Sequence, residues 1–239
     1  MRQYPQLEFD LALLRSNADA VISRCRGMGI RVCGVVKGVD GLPEAARVLR
    51  AAGAAELGTS RLEQVAKCRA AGVPGPWLLI RIPGLTELPD VVALCETSLQ
   101  SEWPTLLALE EECLRQNKTH RVIVMTDLGD LREGFWDKDE LVDVCERVER
   151  DLPHVQLAGI GVNLTCTNIV CIDIQLACRR ITKNAKLCTA ICQNIKNVSL
   201  IDGRIASVHT ILTVFTILAV FTANLNRRSP GHSAIVGIR

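Results

Sequence analysis

Aromatic residues make up only 3% of this 239-residue chain, and there is a single tyrosine, Tyr4. A core must therefore be built from Leu, Val, Ile and Ala. The sequence also offers no series of aromatics on which single-stranded nucleic acid could stack, so no nucleic-acid partner is expected. Met1–Asp10 lacks the apolar segment and cleavage-site pattern of a secretory signal. The expectation is a cytoplasmic chain whose eleven cysteines are mostly small buried hydrophobes rather than a disulfide framework. The sequons at Asn117, Asn163 and Asn197 are then expected to be unused. No CxxC pair occurs. The cluster Cys166, Cys171, Cys178, Cys188 and Cys192, spaced by 5, 7, 10 and 4, does not suit zinc, and no metal is expected.

Two further absences mark a boundary. Glutamate does not occur after Glu149, and Gly203 is the first glycine after Gly161. Residues 164–239 carry nine Lys/Arg and two Asp/Glu, a net of +7, against 19 and 24 in residues 1–163, a net of −5. So sharp a change in composition divides the chain. We read a barrel region over 1–166 and a divergent tail over 167–239.

What is present in the first part is a repeat. Aliphatic runs at Arg31–Lys37, Ala55–Thr59, Trp77–Ile82, Thr97–Ser101, Arg121–Asp127 and Leu157–Asn163 read as strands, each short and bounded by Gly, Pro or a polar residue. Helix signals fall outside and between them. Asp10–Arg26 reads as a helix, Pro43 stands at a first helical position, and Gly53 follows the run's end. Ser60 with Glu63 has the capping-box pattern, Pro104 opens a further helix, and Asp137 with Glu140 is placed to cap another. The polar strand ends Lys37, Ser60, Arg81, Glu102, Asp127 and Asn163 are 23, 21, 21, 25 and 36 residues apart. That is the signature of parallel βαβ units. Six units without a break favour an α/β chain of the (β/α)-barrel, TIM type, incomplete as it stands; a doubly wound open sheet is the alternative. In a barrel, function collects at the carboxyl ends of the strands, where these residues lie.

Lys37 ends the run VCGVV. A lysine whose stem lies in an apolar barrel mouth has its amine pKa lowered by desolvation, and the freed lone pair can form a Schiff base with a carbonyl group. The plainer alternative is a lysine that reaches solvent or pairs with a carboxylate.

Gly34–Gly41 (GVVKGVDG) resembles the lysine motif of the alanine-racemase-type, fold-type III pyridoxal phosphate proteins. Asp127–Gly134 (DLGDLREG) and Gly159–Cys166 (GIGVNLTC) resemble the ornithine racemase branch of that family, as do Leu78–Leu85 and Ser98–Leu106. The resemblance covers about residues 5–166. It implies that Lys37 carries pyridoxal 5'-phosphate through a Schiff base and exchanges the α-proton of an amino-acid substrate, ornithine or another basic amino acid. It implies that Arg132 lies near the phenolic oxygen of the cofactor, where a guanidinium holds negative charge without deprotonating. Asn163 aligns where alanine racemases place a histidine beside the cofactor ring. Arg132 paired to Glu133 or Asp130, and Asn163 satisfying loop backbone, are the structural alternatives. Arg81 and Asp127 are open between substrate contact and the charged layers that close barrel ends. A homodimer is the assembly the resemblance implies. Racemisation needs an acid–base group on each face of the α-carbon. The family's second group, a tyrosine, comes from a carboxyl-terminal domain that has no counterpart among the quoted motifs.

After Cys166 no Gly-rich phosphate cradle follows. Ile205–Leu225 is 21 residues without a formal charge, long enough for a membrane span. Its threonines, His209 and β-branched residues favour a buried strand pair or helix instead. An altered reading frame or alternative exon would explain such a tail. Two other functions therefore stand beside the racemase: a non-catalytic pyridoxal phosphate-binding protein, and a truncated or frame-altered relative without activity.

Overall fold

The computed structural model describes residues 9–27, 31–127 and 131–161. Tyr4, Asn163, the cysteine cluster 166–192 and the apolar stretch Ile205–Leu225 lie outside the described residues, and so do the expectations placed on them.

Helix α1 (Leu11–Arg26) starts where Asp10 accepts a hydrogen bond from the Leu13 amide at 2.9 Å, so the expected helix forms with its own N-cap. Six strands follow: β1 (Cys33–Val35), β2 (Glu56–Thr59), β3 (Trp77–Leu79), β4 (Thr97–Gln100), β5 (His120–Met125) and β6 (Val155–Gly161). Between them come α2 (Pro43–Ala51), α3 (Leu62–Ala70), α4 (Leu88–Leu94), α5 (Trp103–Gln116) and α6 (Lys138–Asp151). All strand pairs are parallel and the spatial order is the chain order, β1 to β6. A doubly wound sheet would reverse direction at a switch point. An unreversed run is the wall of a (β/α) barrel, not closed among the described residues.

The sheet is buried on both faces, which is why its strands read as aliphatic runs. One face packs on the helices. Leu57, Trp77 and Leu79 meet α1, α2 and α3, and Val122 and Val124 meet α5 and α6. The other face carries Cys33, Leu78, Ile80, Leu99, Ile123 and Met125, with Val35 and Ile82 at its margin. All six cysteines among the described residues are free thiols, and only Cys25 is not buried.

Three local expectations need correction. The β1 ladder stops at Val35, because Val36 leaves the extended region (φ −106°, ψ 2°) and Lys37 opens a 3-10 turn, Lys37–Val39. Ser60 and Glu63 do not form a capping box. The cap of α3 is Arg61, still extended, with no side-chain bond; Ser60 is thus one residue too early to reach the helix amides. Helix α4 was not expected: seven residues opened by Pro89 are too short to show periodicity. Asp137 caps α6 through the Asp139 and Glu140 amides at 2.7 and 3.0 Å, as its position indicates. Among the described residues no helix is long and apolar enough to cross a membrane, and no group of three metal-ligating side chains occurs.

Candidate functional site

The turn after β1 places Lys37 at the carboxyl end of the strand, half-buried. Burial lowers the Lys37 amine below the ordinary lysine value. The charge of Arg132 lowers it further, and Glu133 opposes both. An amine in this state loses its proton more readily and becomes a better nucleophile.

Arg132 and Glu133 come from the connection between β5 and α6. Two mutual backbone bonds fold this segment back onto the strand end: Phe135 N to Met125 O at 2.9 Å and Asp127 N to Phe135 O at 3.0 Å. Gly134 makes the fold-back possible. Its φ is +122°, and a Cβ there would stand 2.5 Å from the Thr126 carbonyl carbon and 2.6 Å from the Asp127 nitrogen. The Lys138 ammonium ties the segment down, donating to the Asp127 carbonyl at 2.6 Å and the Thr126 hydroxyl at 3.0 Å. Arg132 Nε lies 3.5 Å from Glu133 Oε2, with Glu133 the more buried partner. The pair expected as a structural alternative for Arg132 therefore exists, and the charges of both its members act on Lys37.

The other strand ends separate in role. Arg81 donates from Nε to the Ser60 carbonyl at 2.7 Å and forks onto Glu87, with Nη1 2.7 Å from Oε2 and Nη2 on Oε1. Both its sides are occupied by structural partners, so Arg81 closes the β3–α4 loop. In return Arg81 pulls the Glu87 carboxyl down to about 2, assisted by the Gly84 amide. Asp127 is buried and accepts from the Leu131 amide at 3.2 Å, a contact inside the Arg132 segment. Ser60 contributes its carbonyl to Arg81, and Glu102 stands as the cap residue of α5 without a side-chain bond. Asn163 lies outside the described residues.

Glu133 was visible in the sequence only as a partner for Arg132; its influence on Lys37 comes from the fold. Asp40 lies in the Gly34–Gly41 motif and Thr59 ends a predicted strand, but nothing in the sequence pointed to Gln64 or to the three bracing the Lys37 turn together.

The amine of Lys37 and the guanidinium of Arg132 suit two demands of a pyridoxal phosphate site, an aldehyde-reactive lysine and a fixed cation. The phosphate-binding part has no counterpart among the described residues.

The chain is 34% identical over 167 residues to the ornithine racemase of Acetoanaerobium sticklandii, covering 70% of this chain and 46% of that one. It is 31% identical over 163 residues to the lysine racemase of Thermotoga maritima, covering 68% and 45%. Among solved structures it resembles the alanine racemase of Clostridium difficile 630, with TM-score 0.62, 18% identity, and 74% and 48% of the two chains covered. An alanine racemase from a D-cycloserine-producing Streptomyces lavendulae matches with TM-score 0.61 and 25% identity, covering 74% and 48%. The chain thus spans about half the length of the relatives it matches. The family described as alanine racemase, N-terminal domain, matches residues 9–227, continuing past Cys166 where the quoted motifs stop. With nearly the whole sequence inside that match, and with the barrel order of the strands in agreement, the chain belongs to the alanine racemase N-terminal domain family.

Proposed function

We propose that the chain serves pyridoxal phosphate-dependent racemisation of a basic amino acid, ornithine or lysine, with Lys37 as the residue that holds the cofactor. The observation that carries this reading is the half-buried amine of Lys37 at a strand end, lowered by burial and by Arg132. The similarity to an ornithine racemase and a lysine racemase supports the substrate class.

When bound, the cofactor supplies the electron sink that makes an α-proton acidic. Lys37 takes and returns that proton on one face of the substrate. Arg132, permanently charged, holds the negative oxygen of the cofactor ring. Glu133, paired with Arg132, keeps that guanidinium from lowering the Lys37 amine further. Asn163 completes the set as a hydrogen-bonding neighbour of the ring. All four residues lie in the barrel region 1–166, with 167–239 a separate segment. The proton donor for the opposite face comes from outside the residues named here, which fits a homodimer.

A non-catalytic cofactor carrier is the second reading, favoured by the fact that only one acid–base residue can be named. The test is titration with pyridoxal phosphate, borohydride reduction and peptide mapping, followed by exchange assays with D- and L-ornithine and lysine. A reduced adduct on the Lys37 peptide with α-proton exchange is the expected result. An adduct without exchange selects the carrier. Label scattered over surface lysines rejects both. Arg132→Met should raise the Lys37 amine pKa and weaken capture, whereas Glu133→Gln should lower it.

A further inference from the structure

The 3-10 turn that presents Lys37 is closed by the two residues after it. Asp40 N donates to Lys37 O at 3.3 Å and Gly41 N donates to Val36 O at 3.0 Å. Both residues are in the left-handed region, Asp40 at φ +49° and Gly41 at φ +61°. Where Asp40 and Gly41 sit therefore fixes the position of the Lys37 backbone.

A buried side chain on the neighbouring helix grips both. Gln64, 6% exposed in the first turn of α3, donates from Nε2 to Asp40 Oδ1 at 2.9 Å. Its Oε1 accepts from the hydroxyl of Thr59, the last residue of β2 and itself fully buried. Its stem lies against Gly41, where an added Cβ would come within 2.6 Å of Gln64 Cβ. Two further bonds from α3 reach the same residues: Lys67 Nζ to Asp40 O at 3.1 Å and Cys68 Sγ to Gly41 O at 3.2 Å. Thr59 in turn follows Gly58, which pairs with Val35 in the ladder and accepts from Val36 N at 2.9 Å.

We propose that Gln64 is a positioning residue for Lys37, linking the lysine turn at Asp40 and Gly41 to the strand end at Thr59 so that the amine is held at its half-buried place beyond the carboxyl end of β1. The inference deepens the cofactor reading above and rests on it for its consequence. A glutamine suits the position because its amide offers a donor to Asp40 and an acceptor to Thr59 at once. A carboxylate would lack the donor and repel Asp40.

The deciding experiment uses the full chain without cofactor. The pH dependence of Lys37 arylation is read by peptide mapping, and amide exchange at Asp40 and Gly41 is measured alongside. Gln64→Met keeps the stem against Gly41 and removes both hydrogen bonds. The expected result is a Lys37 midpoint moved up toward the ordinary lysine value, with exchange at Asp40 and Gly41 faster by roughly fivefold, the scale of one hydrogen bond. Reductive capture of pyridoxal phosphate at Lys37 should slow on the same scale. The double variant Asp40→Asn with Gln64→Glu reverses donor and acceptor, and should bring the midpoint back toward that of the wild type. A Lys37 midpoint and local exchange unchanged in folded Gln64→Met would overturn the proposal. If that variant does not fold, Thr59→Val, which releases Gln64 from the strand end and gives up only the long 3.4 Å bond from Arg61 N besides, decides by the same two readouts. A wild-type chain that fails to capture the cofactor at Lys37 would reject the racemase reading, while the Lys37 midpoint would still decide the role of Gln64.

Discussion

Replacing Gly134 by alanine tests how the segment bearing Arg132 is held. At φ +122° a side chain is strained by about 1–3 kcal/mol. The added methyl would also overlap backbone atoms of Thr126 and Asp127 at 2.5 and 2.6 Å, and backbone does not rotate away as a flexible side chain does. The segment must lift. That loosens the two bonds between Phe135 and the strand end, each contributing about 1 kcal/mol. The sum is on the order of 4 kcal/mol, which for a chain of this size lowers the melting temperature by roughly 10 °C. Gly72 is the matched control: its φ is +73° but nothing lies within 4 Å of a Cβ there, so Gly72→Ala keeps the strain and lacks the overlap. Thermal melts followed by circular dichroism should place Gly134→Ala well below Gly72→Ala. The lifted segment should also carry Arg132 away from Lys37 and raise its amine pKa. Equal melting temperatures for the two variants would show that the close approach at Gly134 does not hold the segment.

Three further outcomes are expected. Burial depresses the His120 imidazole to about 4; the ring lies 2.9 Å from the Ser98 hydroxyl, which Gln100 also contacts. The folded chain keeps this ring neutral while the unfolded chain protonates it near 6.5, so stability is full above that pH and falls as pH drops toward 4. The loss is on the order of 3 kcal/mol, and urea melts of His120→Gln across that window should show a shallower slope. Arg81→Met should cost about 1 kcal/mol by releasing a half-exposed Glu87, and leave cofactor capture at Lys37 unchanged in reductive trapping; lost capture would return Arg81 to the site. Burial pushes Cys95, Cys113 and Cys145 up to about 12, so iodoacetamide at neutral pH should leave these three unlabelled in the native chain, while partly exposed Cys25 reacts first among the described cysteines; rapid labelling of Cys113 would contradict its burial inside α5.

Much of the fold was legible in advance because barrel strands are recorded locally. Most strands buried on both faces are rich in aliphatic residues, and a parallel crossover must return through a helix, so the runs and their spacing located the strands, even β4 (TSLQ), which is buried yet mostly polar. Boundaries were less legible. The end of β1 depends on Val36 turning out of the extended region, and the start of α3 on Arg61 staying in it, and neither residue type dictates that choice. Helix α4 escaped notice because seven residues carry too little periodicity.

The sequence by itself determined that Lys37 follows a buried strand, that DLREG follows a later strand of the same barrel, and which family those motifs belong to. Only the tertiary structure decided what each polar strand end does. Arg81 and Arg132 are the same residue type, each beyond the carboxyl end of a strand, yet Glu87 takes up the first while the charge of the second acts on Lys37. Gln64 meets Asp40 across 24 residues of chain, a distance over which no local pattern acts. Parallel strands bring such residues together side by side. A side chain's chemistry is then set by the neighbours that this packing supplies, and those are written in the fold rather than in the residues on either side.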